Sequence, residues 1–438
     1  MELVGINRRY ATLAVLLLIT VWCWVAFDRP YTFPRHIPWN IYSNTPQIAV
    51  DVFNFPALDS TAIKAVCSNT QWNKTITFVC DKSSGGFVEV RNSILHCVRY
   101  AIAAGGSLVV PMIVVAHEQG YMYKDDRTGN TTELDYMFDT EHFLDSLALS
   151  CPQLQVYKRE GDIKNIEDVY GPISLLPESI LKNAKDSRVG PVEWRELFYK
   201  WLMQYLSPDS RSPVIIRLER SYLEYPISSD GESFAVDFGK ILKIRPDARN
   251  LATTALLKLS QLYSLSVDVT QPVLKGTFLG AYLSTDIRGL ILLKDDRVNA
   301  LYDAQSKLYL DQAVQSNLSL IYLASEKMSE IPQFVNDAAS QKIAVTTKMD
   351  LLKGEDREYL LHELTVDQQT LVDYLVMSKA SDFVGVAHSS FAWNVALKRH
   401  QFTQRLDYLD GPETFDDGLS QIYGTVRGHP EYPGAMWP

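Results

Sequence analysis

Three segments of this 438-residue chain carry residue types at spacings that could do chemistry. The first is Ser84-Gly85-Gly86-Phe87, running through Glu89 into Arg91-Asn92. Small residues after an apolar stretch let a ligand come up against the backbone, and a helix starting there would offer free N–H groups to an anion. A plain strand-to-helix turn would look the same. The second is Asp382-Phe-Val-Gly-Val-Ala-His388-Ser389-Ser390-Phe391, a short apolar run ending in hydroxyls just before a helical pattern. That arrangement suits a diphosphate, and it equally suits a simple serine N-cap. The third, residues 276–286, contains Tyr282 and ends in small polar residues, Ser284 and Thr285 among them, and is uninformative by itself. Asp81 and Glu89 flank the glycine loop and are general-base candidates by position alone; solvated carboxylates read the same way.

Other chemistries leave no trace. The eight histidines make no His-Glu-x-x-His and no paired metal spacing. There is no Gly-x-Ser-x-Gly elbow, no P-loop and no Gly-x-Gly-x-x-Gly. No two aspartates stand two apart, so a sugar-nucleotide transferase built on an Asp-x-Asp metal site is not indicated. No resident metal or cofactor is expected.

The elements that must position these residues alternate between strand and helix. A strand is expected over 75–80 and a helix over 91–104, whose Ile94, Val98, Ala101 and Ile102 share one face and which Gly105-Gly106 would stop. An apolar run over 108–115 reads as a covered strand, edge-placed or shortened by Pro111. The middle of the chain is less readable: a helix over 194–206, a strand over 214–218 and a helix from Pro246. The last third repeats the alternation, with strands at 277–283, 318–324, 343–346 and 382–386. Helices are expected at 296–316 and 331–340, from a Thr365/Gln368 capping box to 379, and over 390–399.

Upstream lies a different kind of segment. Residues 10–27 carry no charge over 18 positions, a helix of roughly 27 Å, enough for a bilayer core. Arg8 and Arg9 precede it and Trp22 and Trp24 lie near its far end, as in a signal-anchor with a cytosolic N-terminus. A cleavable signal peptide is the alternative, with Trp-Val-Ala-Phe-Asp as a poor cleavage site. Five prolines between 28 and 56 read as an extended stem. Cys67, Cys80, Cys97 and Cys151 form an even set that suggests two disulfides in one of three pairings; Cys80 at a strand end and Cys97 within a helix look badly placed for each other. Sequons at Asn73, Asn130 and Asn317 fit a secretory compartment. The net charge of −10 argues against a general nucleic-acid binder.

Taken in order, these segments resemble the O-fucosyltransferase family, fungal members included. Residues 84–111 are similar to its glycine loop, Arg-Asn, apolar helix and apolar strand; residues 320–325 to the strand between; residues 381–399 to its Asp-x-Phe-hydrophobic-Gly strand, Ser-Ser-Phe and helix ending in Lys-Arg. The resemblance implies an α/β GT-B fold: two Rossmann-like halves (61–264 and 265–438) facing a cleft, after a cytosolic tail (1–9), an anchor (10–27) and a stem (28–60). It implies a metal-independent, inverting transferase, and the anchor, stem and sequons would place it in a Golgi or ER membrane as a single-pass type II protein. Fucose would pass from GDP-fucose to a protein or glycan acceptor. Gly85, Gly86, Phe87, Arg91, Asn92, His388, Ser389, Ser390 and Phe391 would line the nucleotide, with Asp382 structural or on the guanosine side.

One departure stands out. The family carries Gly-x-His-x-Arg at the end of the first strand of the second half. This chain reads Gly280-Ala-Tyr282-Leu-Ser284. A serine hydroxyl cannot supply the charged two-donor fork of the arginine. Arg288, four residues on, is a substitute candidate, so Ser284, Arg288 and Glu89 are the catalytic candidates. The alternative function is a weakened or inactive relative that binds a glycoprotein or partner enzyme.

Overall fold

Short apolar runs that alternate with amphipathic or buried helices give a mixed α/β molecule with two main sheets. The computed structural model describes residues 50–115, 130–163, 170–176, 179–180, 190–206, 213–218, 227–286, 294–403, 415–424 and 436–438. The 10–27 segment and Arg288 lie outside the described residues. Among the described residues no helix is long and apolar enough to cross a membrane.

The first sheet contains β1 (Ile76–Val79), β2 (Ser107–Val109), β5 (Val156–Tyr157), β6 (Tyr170–Leu175) and β7 (Val214–Leu218), in the order β5-β2-β1-β7-β6 and parallel throughout. Pro111 interrupts the expected 108–115 strand. Its second part, β3 (Ile113–Val114), leaves the sheet to pair antiparallel with β4 (Thr131–Thr132). The second sheet contains β8 (Leu279–Leu283), β9 (Leu320–Ser325), β10 (Ala344–Thr346), β11 (Asp382–Val386), β12 (Phe415–Asp416) and β13 (Ser420–Tyr423). Its order is β10-β9-β8-β11-β13-β12, parallel except for the β12–β13 edge.

Both sheets reverse their winding once. The first runs from β1 outward to β5, then resumes on the other flank of β1; the second runs from β8 outward to β10, then resumes at β11 on the other flank of β8. Such a reversal leaves a crevice at the carboxyl ends of the two central strands, where open α/β sheets bind ligands. The glycine loop leaves the end of β1, and His388-Ser389-Ser390 leaves the end of β11.

The helices that matter are α1 (Thr61–Asn69), α2 (Phe87–Ala104), α3 (Thr140–Ser150), α4 (Pro191–Leu202), α5 (Glu232–Phe238), α6 (Pro246–Leu262), α7 (Tyr302–Gln315), α8 (Ile331–Ser340), α9 (Val366–Ser378) and α10 (Ser390–His400). α2 starts four residues earlier than its apolar spacing indicates, because Gly86 serves as its N-cap and Glu89 sits in the favourable first turn. It is covered on all faces rather than one, with every residue buried except Glu89. Gly105, at φ 71°, ends it in the left-handed region. One apolar cluster runs through Phe78, Ile94, Leu256, Leu371 and Trp393, joining α2 and α6 to α9 and α10. A second, with Leu279, Ala281, Leu283, Ile321 and Phe334, lies under α7 and α8 on the other face of the second sheet.

Two disulfides are present. Cys67–Cys151 ties α1 to the end of α3, and Cys80–Cys97 ties the end of β1 to α2 with Cα atoms 6.4 Å apart. The second corrects the expectation that a strand end and a helix interior are badly placed for each other; α2 folds straight back along β1, which brings its third turn beside Cys80. Residues 50–60, read as stem, lie against the body: Asp51 pairs with Arg249 at 2.8 Å, and the Leu58 N–H donates to Ser146 Oγ at 2.9 Å. Asn130 and Asn317 are exposed, and Asn73 is half-buried.

Candidate functional site

The loops that leave the two reversals meet. Ser390, the first residue of α10, donates from its hydroxyl to the Glu89 carboxylate in the first turn of α2. Thus the glycine loop of one sheet and the serine turn of the other, 301 residues apart, are joined side chain to side chain. Gly85 turns the chain into α2 at φ 111°, where an L side chain is strained. A Cβ on Gly86 would stand 2.9 Å from Glu89 Oε2, so the small residue leaves Glu89 its position. Ser389 is the N-cap of α10, accepting from the Ala392 N–H at 3.2 Å. The capping reading of the serine pair therefore holds for Ser389, while Ser390 faces across.

The end of β8 supplies the rest. Strand alternation puts Tyr282 and Ser284 on the same side. The Ser284 carbonyl accepts from Gln305 Nε2 at 2.7 Å and from His388 Nε2 at 3.0 Å, so His388 buckles β11 to β8 across the reversal. The Ser284 hydroxyl donates to Glu326 Oε1 at 2.8 Å, and the Asp286 N–H to Glu326 Oε2 at 3.3 Å. Glu326 is exposed as a residue, but desolvation of its carboxyl pushes it up to about 7 against these donors, with the Asp286 and Glu89 carboxylates adding to the rise. Burial, with Glu326, Asp373 and Glu89 nearby, also holds the Tyr282 phenol well above its usual range. Thr285 donates to Glu330 at 2.7 Å, and Lys327 donates to the Thr285 carbonyl at 2.9 Å. Glu326 directly follows β9 and was missed in the sequence. Its only signal is a carboxylate at the carboxyl end of a buried parallel strand.

The remaining sequence candidates are distributed differently. Phe391 stacks on Tyr282 with ring centroids 4.2 Å apart, and Phe87 packs edge-on to Tyr374 at 4.9 Å; both are core residues between the sheets. Arg91 donates to the carbonyls of Gly239, Trp437 and Pro438, and Asn92 Oδ1 accepts from the Trp437 N–H. Asp382 starts β11, at the opposite end of that strand from His388. Asp81 pairs with Arg217 at 3.2 Å. The crevice therefore holds Gly85, Gly86, Glu89, Ser284, Glu326, His388 and Ser390, and among the described residues its charged groups are chiefly carboxylates. No group of three or more His, Cys, Asp or Glu among the described residues is arranged to hold a metal ion.

A carboxyl poised near neutrality can take a proton from a hydroxyl. Two helix N-termini at a sheet crevice can hold an anion. No protein-family model matches the chain, and no curated protein sequence matches it. Among solved structures it is similar to POFUT1 in complex with GDP-fucose, at 13% identity and a TM-score of 0.44, over 81% of this chain and 100% of that one. It is also similar to the NodZ alpha-1,6-fucosyltransferase soaked with GDP-fucose (13%, TM-score 0.36, 74% and 92%) and to NodZ from Bradyrhizobium (13%, TM-score 0.33, 73% and 90%). Overlaps this loose carry neither membership nor activity over to this chain.

Proposed function

We propose that the chain is a metal-independent, inverting glycosyltransferase of GT-B type that moves fucose from GDP-fucose to a hydroxyl of a protein or glycan. The observation that carries the reading is Glu326, a solvent-facing residue whose carboxyl, held by Ser284 and the Asp286 N–H, is raised to about 7 beside the joined N-termini of α2 and α10. The choice of GDP-fucose rests on the motif resemblance. In the proposed step the acceptor oxygen attacks the anomeric carbon, its proton passes to Glu326, and the bond to the diphosphate breaks to release GDP. The positive N-terminal end of the α10 dipole would stabilise the departing charge. The body would lie in the lumen of the Golgi or ER behind a 10–27 anchor, with 61–264 and 265–438 as its two halves; a glycosidase-induced mobility shift of the expressed protein tests that placement.

A specific observation favours a second reading. Glu89, Asp286, Glu326 and Glu330 gather at the crevice against Lys327, and carboxylates oppose a diphosphate. On that reading the chain binds a glycoprotein or partner enzyme in the same compartment without catalysis. Calorimetric titration of the purified body with GDP, GDP-fucose and other nucleotide sugars separates the two. The transferase reading expects GDP-dependent heat that survives Glu326→Gln, while transfer falls by about 10²–10⁴-fold. Absence of GDP binding in the parent leaves the second reading.

A further inference from the structure

We propose that residues 436–438 are a strap that holds the first turns of α2 and α10 together, so that the Glu89–Ser390 contact depends on it. One atom joins the two helices: the Trp437 carbonyl accepts from Arg91 Nη1 of α2 at 2.7 Å and from Asn394 Nδ2 of α10 at 2.8 Å. The rest of the strap is gripped as closely. Arg91 Nη2 donates to the Pro438 carbonyl at 2.7 Å and to the Gly239 carbonyl at 3.0 Å, and the Trp437 N–H donates to Asn92 Oδ1 at 3.1 Å. The Trp437 ring is fully buried, with ring centroids 4.7 Å from Phe238 and 5.9 Å from both Phe234 and His96. Position 239 must be glycine, since an added Cβ would stand 2.0 Å from the Pro438 carbonyl oxygen.

The register of these grips is the argument. Arg91 and Asn92 follow Glu89 by two and three residues in α2, and Asn394 follows Ser390 by four in α10. A helical turn is 3.6 residues, so each helix is held within about one turn of the residue it gives to the contact. Arg91 is 5% exposed, and its acceptors here are backbone carbonyls, two of them in the strap. Loss of the strap would leave a buried guanidinium short of acceptors and release the first turn of α2 from its tie to α10. Asn394 would keep its bond from the Tyr374 hydroxyl at 2.8 Å and lose its link to α2.

The test uses the full chain, with and without residues 436–438, and a Ser390→Ala/Trp437→Ala double-mutant cycle. Hydrogen exchange should quicken by tenfold or more in the first turns of both α2 and α10 when the strap is deleted. A peptide of residues 434–438 added in trans should restore the protection. Ser390→Ala should lower the melting temperature by several degrees in the parent and by under one degree in Trp437→Ala, because the contact it removes is already lost. Should Trp437→Ala fail to fold, Asn92→Ala weakens the strap by one bond and enters the same cycle. Additive effects of the two substitutions, or faster exchange confined to α5 with α2 and α10 unchanged, overturn the proposal.

Discussion

Glu326 gives the sharpest residue-scale expectation. Its carboxyl sits at about 7 in the folded chain against 4.5 in an exposed reference. The folded state therefore binds the proton more tightly. Stability from this group is fully present below pH 4.5 and declines as pH rises through 7, by less than the shift alone implies because the residue is exposed and solvent screens it. Glu326→Gln should match the parent in acid and become the more stable of the two as pH rises to about 8, by a margin that solvent screening keeps small. Denaturant unfolding at the two pH values checks this, and an equal gap at both would refute the raised carboxyl. The serine pair should separate as well. Ser389→Ala loses an N-cap, about 1 kcal/mol, whereas Ser390→Ala loses a hydrogen bond to a carboxylate, about 1.5–3 kcal/mol. If the larger cost falls on Ser389, the helix start has been assigned one residue out.

At the scale of elements, the site exists because two helices start at the two reversals of strand order and lean on each other. α10 lies hard against β11: a Cβ on Gly385 would stand 2.4 Å from the Ala392 Cβ. Gly385→Ala should push α10 away from the sheet and cost about 1–3 kcal/mol, as overpacking does. Because Ser390 is carried on the same helix, any GDP affinity should fall with it. Thermal melting and calorimetry on the one variant test both parts; unchanged stability would show that α10 can shift freely. The capping boundaries were legible beforehand. Thr365 caps α9 by accepting from the Gln368 N–H at 3.3 Å, as the Thr-x-x-Gln spacing indicates. The start of α2 was not, because glycines before a helix read equally as a loop that continues.

At the scale of the whole molecule, the two disulfides close loops of very different length. Cys67–Cys151 spans 84 residues and Cys80–Cys97 spans 17. Loop-closure entropy makes the first worth about 4–5 kcal/mol and the second about 3 kcal/mol. Replacing Cys67 and Cys151 together by Ala should destabilise more than replacing Cys80 and Cys97. Peptide mapping without reduction should recover the 67–151 and 80–97 pairs; four alkylatable thiols would refute both.

Strand and helix order over the last third could be read directly, since Leu320–Ser325, Ile331–Ser340 and Asp382–Val386 are local apolar patterns of strand or helix period. Ser390 and the glycine loop could be singled out for the same reason: a turn before a helix is a local event. The chain alone could not show that Glu89 meets Ser390 or that Cys80 meets Cys97. Nor could it show that Arg91 holds Trp437, 346 residues away. Those pairings depend on which strands become neighbours and where each sheet reverses. Glu326 belongs to the same class. Its identity is local, but its raised pKa comes from desolvation at the end of β9, against the Ser284 bond, and from the nearby Asp286 and Glu89 carboxylates, which only the packed fold brings together.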